Sequence, residues 1–254
     1  MVRQVSLTTL PGIPLVKPGD DLVAIVLDGV RAAGLELVDG DIVALAQKIV
    51  SKAEGQIVRL ADVTPSPAAL AWAVETDKDP RLVELVLQES TEVLRAHMGV
   101  MIVRHRLGHV GANAGIDQSN VAREEEELAL LLPKDPDASA ARLREGIRER
   151  TGCNVGVIIN DSIGRPWRIG NLGLAIGSAG IMALEDRRGD VDMFGRELKI
   201  TLIPRADNLA AAASLLMGEA AEGSPVVVIR GFPEEHSDQT SAVLVRPKDK
   251  DLFR

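Results

Sequence analysis

The sequence predicts an α+β fold in which mixed, largely antiparallel sheets pack against helices. Short apolar runs typical of strands alternate irregularly with segments of helical periodicity, and one pair of adjacent strands forms a hairpin. The hairpin consists of the runs GVMIVRH and HVGANAG, which meet near Leu107 and Gly108. A regular alternation of strands and helices would instead predict a doubly wound parallel sheet.

Before this hairpin, the chain carries three predicted helices and one buried strand. Asp20 and Asp21 are N-cap residues for a helix whose apolar side chains repeat at helical spacing, and Gly34 ends it. The run DIVALA (41–46) has the length and apolar character of a buried strand. Two further helices are expected between residues 66 and 97. The second of them carries Leu82, Leu85, Val86, Glu89 and Val93.

The second half begins with a charged, proline-containing connection over residues 122–140. This connection is the place where the chain would divide into two lobes, although we treat residues 1–254 as a single unit. No internal repeat or low-complexity segment follows it. The next predicted elements are the helix Ala140–Arg150, the strand Val155–Ile159, the strand GRELKITLIP, the helix ADNLAAAASLLMGEA and the strand PVVVIRGF.

Composition excludes several classes of protein. The net charge is −8, and no run of Lys or Arg supplies the basic surface that nucleic acids require. Aromatic stacking platforms are also scarce, with no Tyr, three Phe and two Trp. No apolar stretch reaches the roughly 18 residues of a membrane span, and the first residues lack the pattern of a secretion signal. We therefore expect a cytoplasmic protein that binds neither nucleic acid nor membrane.

Standard nucleotide-binding and hydrolase motifs are absent. The chain has no Gly-Lys-Ser/Thr tripeptide for a Walker loop, and its glycines lack the GxGxxG spacing. It also lacks a GxSxG elbow and an HExxH pair. Any nucleotide is therefore held in another way. An acidic protein that binds anionic substrates needs metal ions or a few well-placed cations.

The segment DSIGRPWRIGNLGLAIGSAG (161–180) begins one residue after the five-residue apolar run Val155–Ile159. Asp161 with Ser162 beside it resembles a metal-ligating acid followed by a hydroxyl ligand, but the same residues could end the strand in an Asx turn. Arg165 and Arg168 could bind phosphate or carboxylate groups, or form surface ion pairs. For the glycines of this segment we favour tight packing between strands over ligand binding.

Four other segments carry residues with chemical potential. In NAGIDQSNV, Asp117 could bind a hard cation, or the polar side chains could form an Asx-rich turn. In QKIVSKAEG, Lys48 and Lys52 would share one helix face, as a small cationic site or as a solvated surface. Glu219 lies at a predicted helix C-terminus, where the macrodipole disfavours a carboxylate unless a cation compensates. The segment LPGIPLV predicts a rigid turn whose backbone groups are available to a ligand.

Together and in this order, these segments resemble the coenzyme F420-0:L-glutamate ligase family, the γ-glutamyl ligases of deazaflavin cofactor maturation, in its stand-alone form. The resemblance spans residues 10 to about 231, and NAGID with DSxGRPWRxG is more specific than either motif alone. The stretches that carry it are LPGIPLV, QKIVSKAEG, NAGIDQSNV, NDSIGRPWRIGNLGLAIGSAG, GRELKIT and AASLLMGEAAEGSPVVVIRG.

The resemblance implies a GTP-dependent ligase that joins L-glutamate through an amide bond to the phospholactyl carboxylate of coenzyme F420-0. An acyl phosphate would form first, and the glutamate amine would then displace its phosphate. The family also implies Mg²⁺ or Mn²⁺, with two ions per site, assistance from K⁺, and an intertwined homodimer of an unusual α+β fold.

Site residues follow from the same resemblance, position by position. The implied metal ligands are Asp117, Asp161, Ser162 and Glu219. Asp117 and Asp161 would be catalytic, and we add Arg165 and Arg168 to the catalytic group as our own inference. Gln47 and Lys48 stand where the family often has small hydroxyl residues. The residues implied to hold GTP are Ile13, Pro14, Leu15, Val16, Gln47, Lys48, Lys52, Asn120, Leu215, Leu216, Met217, Gly218, Glu219, Ala220, Ala221 and Glu222.

Two alternatives stay open at this point. The first is another metal-dependent phosphoryl-transfer enzyme or amide ligase with a different carboxylate acceptor. The second is a non-catalytic oligomeric α+β protein whose acidic residues merely end strands. The presence of all three carboxylates together with Lys52 argues against the second alternative.

Overall fold

The computed structural model describes residues 4–119, 127–232 and 237–251. Its mixture of helices with mostly antiparallel strands confirms the predicted α+β class. The α-helices are α1 (Leu22–Ala32), α2 (Gln47–Ala53), α3 (Pro67–Thr76), α4 (Pro80–Gln88), α5 (Pro136–Thr151) and α6 (Arg205–Met217). The strands are β1 (Ser6–Thr9), β2 (Ile42–Ala46), β3 (Ile57–Arg59), β4 (Ser90–His97), β5 (Val100–His105), β6 (Val110–Ala112), β7 (Leu128–Leu130), β8 (Gly156–Arg165), β9 (Arg168–Ala179), β10 (Glu185–Asp186), β11 (Leu202–Ile203) and β12 (Val226–Arg230).

A five-stranded sheet with the order β1-β12-β2-β8-β9 forms the centre of the protein. Its neighbouring strands are antiparallel except for β2 and β8, which run parallel from Ile42 opposite Gly156 to Ala46 opposite Asn160. Because the carboxyl ends of parallel strands meet at one edge, the residues after Ala46 and Asn160 are brought together. After Ala46 the chain begins α2, and after Asn160 comes Asp161, which is still part of β8.

Helices cover both faces of the central sheet. On one face, small side chains of α6 such as Ala213 share a buried cluster with Ile158 and Val227. On the other face, α1 and α5 share a second cluster with the alternate residues Val157 and Val228. Side chains along a strand alternate between faces, so a strand that is buried on both sides reads as a continuous apolar run. This is why β2 and β12 are largely apolar, and why β8 is apolar as far as Ile159.

A smaller antiparallel sheet, β4-β5-β6, packs on α3 and α4 around Val83, Met101 and Val103. Two short pairs, β3 with β7 and β10 with β11, complete the described strands. Gly111 of β6 lies against the side chain of Ile163 on β8. The smaller sheet is therefore in contact with the strand that carries Asp161.

Several predicted elements are confirmed with their termini. The Asp21 side chain accepts a hydrogen bond from the amide of Ala24 at 3.0 Å, as an N-cap does, and α1 ends just before Gly34. The hairpin of β5 and β6 turns at Leu107 and Gly108, where the Gly108 amide donates to the carbonyl of His105. The buried strands β2 and β12 and the helix α6 also lie where they were predicted.

Two element predictions were wrong. The helix α4 ends at Gln88, and the residues expected to extend it form β4, in which Val93 pairs with Val103. β-Branched residues favour a strand when a partner strand is available, and local periodicity cannot reveal that partner. Of GRELKITLIP, only Leu202–Ile203 is a strand. The run begins in a turn, because the amides of Phe194 and Arg196 both donate to Asp192 Oδ1.

Residues 161–180 continue the sheet as a long hairpin. Asp161 pairs with Leu174 inside the β8–β9 ladder, which excludes the alternative of a strand-ending Asx turn at Asp161. A β-carbon at Gly173 would collide with Ser214 and with the carbonyl of Ala210 on α6. The role of Gly173 is therefore tight packing, as predicted, but against a helix and not between strands.

The predicted connection over residues 122–140 is partly structured. Its described part contains β7 and the first turn of α5, and Leu130 and Leu132 are fully buried. Residues 120–126, and Asn120 with them, lie outside the described residues. Division into two lobes therefore stays a prediction. None of the described helices has both the length and the apolar character needed to cross a membrane.

Candidate functional site

Lys48 and Asp117 form an ion pair at the edge where β2 ends. Lys48 Nζ lies 2.5 Å from Asp117 Oδ2 and donates a hydrogen bond to Ser119 Oγ at 3.0 Å. Lys48 stands in the first turn of α2, directly after β2. Asp117 is held in place by backbone hydrogen bonds of 3.1 and 2.8 Å with Leu130. The Ser119 amide donates to Asp117 Oδ1 at 2.6 Å, so an Asx turn and a charged contact coexist at this residue.

The partly buried Asp161 belongs to the same cluster. Burial raises its pKa to about 7, and the negative charges of Asp117 and Glu219 contribute to the rise, whereas the Ser162 amide and Lys48 oppose it. Burial also acts on Asp117, but hydrogen bonds from Lys48 and Ser119 outweigh it and hold the pKa of that carboxyl below its usual value. A buried carboxyl group with a raised pKa is stabilised by any additional cation. The cluster is therefore short of positive charge around Asp161.

Lys52 shares this environment with Lys48. Burial and the neighbouring charge of Lys48 lower the pKa of Lys52, while Asp117 opposes the change. The two lysines are four residues apart on α2 and lie on one face of it, as predicted. Gln47 is buried beside them and accepts a hydrogen bond from Ser51 at 2.9 Å. Two lysines and a carboxylate at a strand end can hold an anionic ligand and its counter-ion.

The loop that follows α6 approaches the same edge. The helix ends at the buried Met217, Gly218 adopts φ 72°, and Glu222 accepts a hydrogen bond from the Ala220 amide at 2.8 Å. The loop rejoins the sheet where the Ala46 amide donates to the carbonyl of Pro225 at 2.8 Å. The structure thus places the predicted helix-end segment beside the end of β2. The members of this segment are Leu215, Leu216, Met217, Gly218, Glu219, Ala220, Ala221 and Glu222.

The N-terminal segment Ile13–Val16 is anchored near this edge at both ends. The Leu10 amide donates to the carbonyl of Val226 at 3.0 Å, and the Gly19 amide donates to Ala53 at the end of α2 at 2.9 Å. Between these anchors Pro14 and Leu15 are exposed and Val16 is buried. The three segments predicted to bind a nucleotide therefore surround one end of the sheet, apart from Asn120, which lies outside the described residues.

The two arginines lie together at the tip of the β8–β9 hairpin, and Ser162 lies beside Asp161. Arg165 and Arg168 pair at the tip of the β8–β9 hairpin, and Arg165 donates to the carbonyl of Gly170 at 3.0 Å. Ser162 is exposed and adjacent to Asp161 on β8, so the two side chains point to opposite faces of the strand. The catalytic roles of the arginines and the metal-binding role of Ser162 stay predictions.

Sequence reasoning missed Asn160, which precedes Asp161. Asn160 is buried, and its Nδ2 donates to Ser214 Oγ at 2.9 Å and lies 3.4 Å from Met217 Sδ. Its Oδ1 has no hydrogen-bond partner among the described residues. The side chain thus joins the part of β8 next to Asp161 to the helix end that leads to Glu219. Its position beside an acid at a strand end was the signal available in the sequence.

Carboxylate oxygens are the donors that Mg²⁺ and Mn²⁺ prefer, and the shortage of positive charge around Asp161 suits such an ion. The donor chemistry of Asp117, Asp161 and Glu219 therefore fits a divalent cation. Within the described ranges, no three His, Cys, Asp or Glu side chains already form a metal-binding group, and Lys48 contacts one oxygen of Asp117. The metal ligands stay a prediction.

The fold and the cluster together define a class of protein. It is an α+β protein whose carboxylates and lysines lie where the pairing of two parallel strands ends, beside the loop that follows a helix. Residues 12–231 match the family described as F420-0:gamma-glutamyl ligase. The chain belongs to this family, which confirms the resemblance carried by its motifs, and it is a ligase.

Curated relatives match the chain over nearly its full length. Proteins named coenzyme F420:L-glutamate ligase are 47% identical in Methanothermobacter thermautotrophicus, over 98% of this chain and 99% of the relative, and 44% identical in Methanopyrus kandleri, over 94% and 93%. The protein of that name in Archaeoglobus fulgidus is 42% identical over 99% of this chain and 97% of its own length.

Proposed function

We propose that the protein uses GTP to attach L-glutamate to the phospholactyl carboxylate of coenzyme F420-0. The observation that carries the proposal is the cluster of Lys48, Lys52, Asp117, Asp161 and Glu219, located where the parallel pairing of β2 with β8 ends. Family membership supplies the reaction class and the acceptor, since the named relatives are F420:L-glutamate ligases. The cluster supplies charges of both signs for a reaction between anions.

The proposed reaction has two steps. An oxygen of the acceptor carboxylate bonds to the γ-phosphorus of GTP as the bond to the β–γ bridging oxygen breaks, which yields an acyl phosphate and GDP. The glutamate nitrogen then bonds to the acyl carbon, phosphate leaves, and the amine loses a proton. Lys48 and Lys52 would neutralise phosphate charge, and the loop 215–222 with Ile13–Val16 would enclose the nucleotide.

Mg²⁺ or Mn²⁺, two ions per site, would be held by Asp117, Asp161 and Glu219 with the Ser162 hydroxyl, and K⁺ would assist. Such ions stabilise the charge that develops on a transferring phosphoryl group. The fold would position the three carboxylates: Asp161 on β8, Asp117 on the segment paired with β7, and Glu219 on the loop after α6. The cytoplasmic location expected from the sequence stays part of the proposal.

A homodimer is the second part of the proposal. Trp167 and Ile169 at the tip of the β8–β9 hairpin are 93% and 102% exposed, and Met193, Phe194 and Ile200, between β10 and β11, are 87% or more exposed. Soluble monomers rarely expose so many large apolar side chains. A second copy of the chain would cover them, as the intertwined dimers of the family imply. The mass of the protein in dilute solution tests this arrangement.

The decisive experiment incubates the purified protein with GTP, Mn²⁺, L-glutamate and the unglutamylated deazaflavin cofactor, followed by mass spectrometry. A gain of one or more glutamyl units that requires GTP is expected, and it also counts the additions. Hydrolysis of GTP with another carboxylate but not with this cofactor would favour the alternative amide ligase. No use of GTP under any condition would contradict the proposal.

A further inference from the structure

A second feature of the molecule is a cavity of about 460 Å³ beside the β8–β9 hairpin. Its walls come from the hairpin, from the turn between β5 and β6, from the start of α5 and from residues 241–246. Ile163, Leu172 and Val245 provide apolar wall. The volume is within the range of small-molecule sites, which are mostly apolar with a few placed polar groups.

Three carboxyl groups and three arginines line this cavity, and they differ in their hydrogen-bond partners. Backbone amides donate to each carboxyl group: Asp135 Oδ1 accepts from Ala138 at 2.9 Å, Asp137 Oδ1 from Ser178 at 2.8 Å and from Ser241 at 2.9 Å, and Asp207 Oδ1 from Ala175 at 3.1 Å. The arginines Arg165 and Arg246 also line the cavity.

Within the described ranges, neither Arg165 nor Arg246 pairs with a carboxylate. A third arginine, Arg104, has its nearest carboxylates 3.9 Å away, on Glu92 and Asp251, and its Nε lacks a hydrogen-bond partner in the part of the chain described. Guanidinium groups in a partly apolar cavity attract phosphate or carboxylate groups of a ligand.

Two residues that line the cavity are neighbours of Asp161 in the β8–β9 hairpin. Ile163 follows Asp161 by two residues on β8, so both side chains are on one face of the strand. Leu174, which also lines the cavity, is the cross-strand partner of Asp161. Directly paired side chains on neighbouring strands lie about 5 Å apart. One end of a ligand in the cavity would therefore lie close to Asp161 and the carboxylate cluster.

We infer that this cavity binds the acceptor, an anionic molecule with a planar ring system whose reactive carboxylate reaches the cluster at Asp161. The inference rests on the proposed function. Ile163, Leu172 and Val245 contact the ring system, and Arg165 and Arg246 hold the phosphate group of its side chain. GTP, which also combines a ring with phosphates, is the competing occupant, but the segments predicted to hold it surround the end of β2 instead.

Equilibrium dialysis of the full chain with the unglutamylated deazaflavin cofactor, without GTP or glutamate, tests the inference. Arg165→Ala and Arg246→Ala should each raise the Kd about tenfold, the factor expected for one lost charge-assisted hydrogen bond. Leu172→Trp should weaken binding by filling the cavity. Arg148→Ala, which changes an exposed arginine of α5 paired with Glu145, is the matched control and should bind as the unchanged protein does.

The GTP KM of each variant and the thermal unfolding curve separate the outcomes. Weakened cofactor binding with an unchanged GTP KM and an unchanged Tm supports the inference. A raised GTP KM with unchanged cofactor binding would make the cavity a nucleotide site and overturn it. If the unchanged protein forms the glutamylated product and the Arg165→Ala/Arg246→Ala double variant binds cofactor normally, the inference fails while the proposed function stands. No product from the unchanged protein contradicts the proposed function itself.

Discussion

The side-chain amide of Asn160 donates a hydrogen bond to Ser214 Oγ at 2.9 Å and joins the middle of β8, where its pairing with β2 ends, to the last turn of α6. Asp161 follows directly on the strand, and Glu219 lies just beyond the helix. The contact therefore sets the spacing between two of the three carboxylates in the cluster. A buried hydrogen bond can hold Asp161 and the start of the loop that carries Glu219 at a constant separation, because it restricts the movement of β8 relative to α6.

We predict that Asn160→Asp lowers kcat at least tenfold, because it removes the amide donors and adds a carboxylate beside the cluster. Loss of a buried hydrogen bond should also reduce the free energy of unfolding by about 1–3 kcal/mol. Steady-state kinetics and urea unfolding measure the two effects. Asn208→Asp, on the exposed side of α6, is the control and should change neither. Normal kcat in Asn160→Asp would remove Asn160 from the positioning role.

Asp117→Ala and Asp161→Ala should each reduce turnover at least about 100-fold, because each removes a carboxylate predicted to hold metal. The fold should persist in Asp161→Ala, since the pKa of this partly buried acid is raised and its charge does not stabilise the native state. It should also persist in Asp117→Ala, which loses a partly exposed ion pair with Lys48. Turnover with saturating Mn²⁺ and the circular dichroism spectrum are the measurements. Asp28→Ala, an exposed change on α1, should retain full activity. Near-normal turnover in either site variant would contradict the assignment.

Lys52→Ala should raise the KM for GTP about tenfold with a smaller effect on kcat, because the lysine is placed to neutralise phosphate charge. Initial rates over a range of GTP concentrations check this. Lys250→Ala removes an exposed lysine at the far end of the described chain and should leave the KM unchanged. An unchanged KM in Lys52→Ala would exclude the residue from the nucleotide site.

Gly173→Ala should destabilise the protein by about 1–3 kcal/mol, because the new methyl group would collide with Ser214 and the Ala210 carbonyl. Gly164→Ala provides a matched comparison on the same hairpin. Its added carbon would meet only Asn171 Oδ1, at 3.8 Å, so the free energy of unfolding should hardly change. Equal stability of the two variants would show that α6 does not pack as tightly on β9 as the structure indicates.

Acid should destabilise the protein in part through His109. Burial and the positive charge of the stacked His105 lower the pKa of His109 from 6.5 to about 4. Between these values the unfolded chain binds a proton that the folded chain does not, so this contribution is complete above pH 6.5 and is lost as the pH falls towards 4. The loss amounts to at most about 3 kcal/mol.

Urea midpoints at pH 7 and pH 4.5 measure this effect. His109→Gln should show a smaller decrease between the two pH values than the unchanged protein. His97→Gln, which alters an exposed histidine, should show the same decrease as the unchanged protein. An identical pH dependence in all three proteins would contradict the predicted role of His109.

Much of this protein could be read from local sequence. Asp21 as an N-cap, the apolar runs of β2, β8 and β12, and the small side chains of α6 depend on residues near in the chain. Family membership could also be predicted from the sequence, because each motif is a short, continuous stretch of the chain. Local periodicity failed at Val93 and across residues 161–180, where a distant or returning strand supplies the hydrogen bonds and decides the conformation.

The site itself depended on the tertiary structure. Lys48 and Asp117 are far apart in sequence, and they meet because β2 ends there while Leu130 holds the Asp117 backbone. No local pattern indicates that the neighbour of Asp161 would bond to Ser214, or that Arg165 and Arg246 would line one cavity. The residue types in the sequence indicate which chemistry is possible. Charges and hydrogen bonds act over a few ångströms, so only the packing of the strands and helices determines which of these residues act together.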